Sequence, residues 1–149
     1  MIDQEQADAK VKSGWLRAWL AFDALAVNED VVKAALGGLV TKLDEDTRYR
    51  VYKKEMLPAQ KVDNPIKGIA TAWSLVANVE LVSRSMSDLV SLVLEYGPSA
   101  VELMEPSRLS MDAGQAQALL NQVADMMHKI AAAGIGGAML VAGKGAGQA

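Results

Sequence analysis

Cysteine is missing from all 149 residues, and histidine occurs once. Without thiols the chain forms no disulfide, iron–sulfur cluster or thiolate zinc site, and has no cysteine nucleophile. A transition-metal site would need carboxylates placed around His128, and no two acids stand with it at ligand spacing. As a general base, His128 would need an orienting partner, which no motif supplies. Near a helix C-terminus it reads more simply as a surface residue. No cofactor is indicated. "GIGG" follows a helix instead of opening one, the wrong context for cradling a dinucleotide.

An excess of positive charge is lacking too. Fifteen Lys and Arg against 18 Asp and Glu give a net charge of −3, so nothing draws the whole chain to nucleic acid or anionic lipid. Long apolar runs are absent. The longest, Ile130 to Ala142, holds three glycines and falls short of the ~20 residues that span a bilayer. The polar, acidic start MIDQEQADAK is unlike a secretory signal. These features predict a cytoplasmic protein without membrane contact.

What is present is apolar: 51% of residues, with 22% charged. That is the composition of a folded chain, and the length suits a single domain, 1–149. Along residues 4–26, Val11, Trp15, Trp19 and Phe22 recur at helical spacing. A second helix follows Asn28, with Val32, Leu36, Leu39 and Leu43 on one stripe and Gly37-Gly38 inside it. Residues 4–43 therefore predict a helical hairpin. The glycine pair suits a close helix crossing, or otherwise an early break of the helix.

Two-residue alternation then marks strands near 47–56 and 71–83. The proline- and glycine-bearing segment 57–68 between them reads as a loop. Ser85 with Asp88 resembles a capping box opening a helix through Leu94, which Gly97-Pro98 must stop. A short strand at 100–105 closes at Pro106. If the strands at 71–83 and 100–105 share a sheet, the crossover makes them parallel, either adjacent or with one strand between. Asp112 and Gln115 open a long helix lined by Ala116, Leu119, Leu120, Val123, Met127 and Ile130, ended by Gly134. A last strand is expected at 137–142 and a flexible tail at 143–149.

One phrase carries a resemblance. In "LVSLVLEYGPSAVELMEPSRL", Tyr96, Gly97, Pro98, Val101, Glu102, Leu103, Glu105, Pro106 and Leu109 resemble the closing segment of the C-terminal extension of WYL-domain transcriptional regulators. The winged helix-turn-helix and WYL core of those proteins are absent. The resemblance implies a ferredoxin-like oligomerisation or effector-sensing module and puts DNA binding in doubt. The overall style resembles that of small archaeal proteins.

Together these readings predict an α+β fold: an N-terminal helical hairpin, then a ferredoxin-like β-α-β-α-β mixed sheet layered with helices over 47–142. The function expected is a non-enzymatic interaction or regulatory module that self-associates as a dimer and accepts a small-molecule effector. Trp15, Trp19, Phe22, Gly37 and Gly38 are its interface candidates, because aromatics concentrate at interface centres, the other reading of the aromatic stripe being ordinary core packed on the sheet. Two alternatives stand. Arg48, Arg50, Tyr52, Lys53 and Lys54 on one strand could hold single-stranded RNA through phosphate contact and base stacking, although exposed cations also protect an edge strand from unwanted pairing. A small enzyme could use the acids Glu80, Asp88, Glu95, Glu102, Glu105 and Asp112, although amphipathic elements also produce an acidic solvent face.

Overall fold

The computed structural model describes residues 1–134. They divide into two compact units, Met1–Leu109 and the remainder from Ser110. The first is an α+β layer structure. Its elements are α1 (Gln4–Lys12), β1 (Leu16–Ala26), α2 (Glu29–Glu45), β2 (Tyr49–Met56), β3 (Gln60–Ile66), β4 (Ile69–Ser83), α3 (Met86–Tyr96) and β5 (Ala100–Glu105). The second unit contains α4 (Ala113–Ala132).

The sheet runs in the order β2-β4-β1-β5, and every pairing is antiparallel. Two split units interleave, β1-α2-β2 and β4-α3-β5. In each, the two strands run parallel with a strand of the other unit between them, which is the ferredoxin-like arrangement. The parallel relation expected for β4 and β5 is therefore present, with β1 as the intervening strand. The sheet as a whole is antiparallel, not mixed.

One layer of core fixes this geometry. Ala18, Leu20 and Phe22 of β1, Val51 of β2, and Leu75, Ala77, Val79 and Leu81 of β4 face Val32, Leu36, Val40 and Leu43 of α2 and Leu89 and Leu92 of α3. Burying each Leu, Val or Phe side chain contributes about 1.5–3 kcal/mol, before the entropy of ordering it is subtracted. The Tyr49 hydroxyl, beneath the helices, donates to the Asp88 carbonyl at 2.7 Å. The helix ends match their sequence signals. Asn28, Ser85 and Asp112 accept from the third backbone amide of α2, α3 and α4, and Gly97 ends α3 at φ 59° and ψ 52°.

The helical hairpin over 4–43 is corrected at its first half. Helix α1 stops at Lys12, Gly14 turns the chain at φ 102°, and residues 16–26 form a central strand. The cause is burial on both sides. Ala18, Leu20 and Phe22 face α2 and α3, while on the opposite face Arg17 and Ala21 are also buried and Trp19 is half-buried. A strand covered on both faces loses its two-residue alternation and reads as a continuous apolar run.

The loop expected over 57–68 is also corrected, since it contains β3. Strand β3 continues the edge begun by β2 along β4, from Gln60 opposite Ser74 to Ile66 opposite Ile69. A two-residue turn, Lys67-Gly68, closes the hairpin with Gly68 at φ 89°. The register shifts at Asn64-Pro65, where Asn64 takes φ 50°. That bulge explains why the segment shows no regular period. The strand expected at 137–142 and the tail at 143–149 lie outside the described residues.

Candidate functional site

The strand β1 separates the five interface candidates. Phe22 points into the helix-covered core and is 1% exposed. Trp19, of opposite parity, lies half-buried on the other face of the sheet. Trp15 precedes the strand and, like Ile2 and Val11, packs against the cluster of Ala7, Tyr52 and Val82, with the Lys10 ammonium 4.2 Å above its ring. Gly37 and Gly38 lie on α2, where an added methyl would meet nothing within 4 Å. Among the described residues they therefore serve no close crossing, and Phe22 and Trp19 point to opposite faces of the sheet.

The basic stretch is largely engaged within the chain. Arg48 binds Asp46 at 2.7 Å and Glu95 at 2.8 Å, with its guanidinium 5.1 Å from the Tyr49 ring. Arg50 donates to the carbonyls of Asp46 and Tyr49. Tyr52 is buried and donates to Glu80 at 2.8 Å, and Lys53 reaches the same carboxylate at 2.6 Å. Lys54 is exposed. The Arg48 guanidinium holds Asp46 and Glu95 below the usual carboxylate range, and Lys53 does the same for Glu80. Of the six acids read as a face, Glu80, Asp88, Glu95 and Glu105 pair with Lys53, Arg84, Arg48 and Arg17.

Arg17 is the residue that sequence reasoning missed. Its side chain, at the start of β1, is 9% exposed and bonded to Asp8 of α1 and, at 2.9 Å, to Glu105 of β5. Its guanidinium also lies 5.0 Å from the Tyr52 ring. One side chain thus ties α1, the neighbouring strand β5 and the more distant strand β2 to β1. The available signal was an arginine inside the otherwise apolar run LRAWLAF. Beside this hub, Trp19, Lys53, Glu55, Asn78 and Glu80 line a depression of about 170 Å³ on the sheet face away from α2 and α3.

The second unit presents a different surface. Helix α4 has no buried residue. Its apolar positions repeat at seven: Ala116, Val123 and Ile130 form one row, Leu119 and Met126 a second, Leu120 and Met127 a third. Leu120 is 65%, Val123 45% and Met127 43% exposed. The capped helix of twenty residues therefore carries an apolar stripe that is exposed at Leu120, Val123 and Met127 and half-buried at Ala116, Leu119, Met126 and Ile130. His128 lies exposed, off that stripe.

Among the described residues no helix is long and apolar enough to cross a membrane. No curated protein and no solved structure matches the chain. One family does match, over residues 17–142, from the hub arginine of β1 through the whole of α4. By that match across most of its length, the chain belongs to the MJ0538 family.

Proposed function

We propose that the protein is a non-enzymatic, cytoplasmic interaction module that works by self-association. The observation that supports this reading is the apolar stripe of α4, on which Leu120, Val123 and Met127 are exposed and no residue is fully buried. Contiguous exposed apolar surface of this kind is rare on a protein that works as a monomer. The effector-sensing half of the reading draws on the likeness of the α3–β5 segment to the WYL extension. Its pocket is the depression beside Trp19, where an indole face and the polar groups of Lys53, Glu55, Asn78 and Glu80 converge. RNA binding is less well supported, because Arg48, Arg50 and Lys53 are held by groups of the chain itself.

Multi-angle light scattering on a dilution series tests the reading. The expected mass is twice 15.8 kDa at high concentration, falling toward the single chain on dilution. A mass of one chain at the highest concentration reached removes self-association from the function.

A further inference from the structure

The α4 stripe carries more information than exposure alone. Its repeat is seven residues, the period at which two helices supercoil left-handedly and keep one seam in contact. With Ala116, Val123 and Ile130 at position a, Leu119, Met126 and Ala133 fall at d, Leu120 and Met127 at e, and Gln115, Gln122 and Lys129 at g. The two flanks of the seam differ in kind. One is apolar, the other polar, and neither carries the opposite-charge ladder that selects a foreign helix.

This asymmetry decides both partner and direction. In a parallel pair the e flank of one helix meets the g flank of the other, setting Leu120 against the partner's Gln115 and Met127 against the partner's Gln122. In an antiparallel pair e meets e and g meets g. Leu120 then packs on the partner's Met127, and Gln122 faces the partner's Lys129. The seam itself fills without a gap: Leu119 pairs with the partner's Ile130, Val123 with the partner's Met126, and Ala116 with the partner's Ala133. Opposed helix dipoles favour the same direction.

Resting on the self-association reading, we infer that α4 pairs antiparallel with α4 of a second copy, the two e flanks closing as one apolar face. The occupant is a second copy because the surface complements itself and carries only Asp125, His128 and Lys129 as titratable groups between Ala113 and Ala132. A seam this short lies at the small end of specific interfaces, under about 1,200 Å² in total, so the dimer is reversible and concentration-dependent.

The absence of cysteine allows a direct test in the full chain. Gln122→Cys and Lys129→Cys variants are prepared separately, mixed, and treated with a short bismaleimide. The linked species is expected in the mixture at about tenfold the level in either variant alone, since the paired thiols see a high effective concentration. The double variant Leu120→Glu with Met127→Glu, checked for retained helix by circular dichroism, is expected to run as a monomer. Linking of Gln122→Cys with Met127→Cys instead indicates a parallel pair and overturns the inference. A dimer in light scattering that links in neither mixture places the interface elsewhere, overturning the inference but not self-association. A monomer at every concentration overturns both.

Discussion

Gly97 shows how one residue can fix an element boundary for a purely conformational reason. It sits at φ 59°, ψ 52° at the end of α3, and a methyl added there would meet no atom within 4 Å. Packing therefore does not require glycine, but backbone shape does, since a side chain costs about 1–2 kcal/mol in the left-handed region and a β-branched one costs most. Gly97→Val is expected to lower stability by about 1–2 kcal/mol or more, and Gly97→Asn by clearly less, because asparagine tolerates this region. Chemical denaturation of both variants gives the comparison, and equal midpoints for wild type and valine would contradict the assignment. This boundary was legible in the sequence as Gly-Pro after an apolar helical stripe. Arg17 was not legible, because its partners Asp8, Tyr52 and Glu105 come from three other elements. Only the tertiary fold brings them together.

At the scale of elements, local signals succeeded wherever an element stands on one covered face. Helices α2, α3 and α4 begin at the caps that Asn28, Ser85 and Asp112 announce, and β4 follows its alternation. They failed at β1, whose two covered faces erase the alternation, and at β3, whose Asn64-Pro65 bulge breaks it. Salt bridges then join elements that sequence spacing cannot relate. Arg48 clasps Asp46 at the C-cap of α2 to Glu95 of α3, and its guanidinium depresses both acids below their ordinary values of 3.8 and 4.5. A depressed carboxylate contributes stability that is fully present above its unfolded pKa and is lost as pH falls through the folded one. The clasp is therefore intact above about pH 4.5 and is lost progressively below about pH 4. Arg48→Gln is expected to be less stable than wild type at pH 7, with the difference shrinking as pH falls through the depressed carboxylate range. Urea midpoints measured across that range check the sign. A gap that widens on acidification would show that Arg48 acts through packing on Tyr49 instead.

At the scale of the whole molecule, the buried core and the candidate seam belong to different units. The buried residues run from Ala7 to Leu92, and the sheet ends with β5 at Glu105, all inside Met1–Leu109. Helix α4 contributes none of them, because every apolar residue it carries is at least partly exposed. The sequence shows α4's stripe as plainly as any other, but periodicity reports that a face is apolar and not which surface covers it. A chain ending at Leu109 is then expected to keep the fold of its sheet and lose self-association. Its near-ultraviolet circular dichroism, which reports on the packed Tyr49, Trp15 and Trp73, should match that of the full protein. Its unfolding should remain cooperative, as for a small single core. Its mass should stay that of one chain across the same dilution series. Loss of the near-ultraviolet signal would mean that the segment beyond Leu109 is needed for the core, making self-association and folding one event. A folded fragment that still dimerises would move the interface onto the first unit, where the β5 edge exposes Val101, Leu103 and Met104.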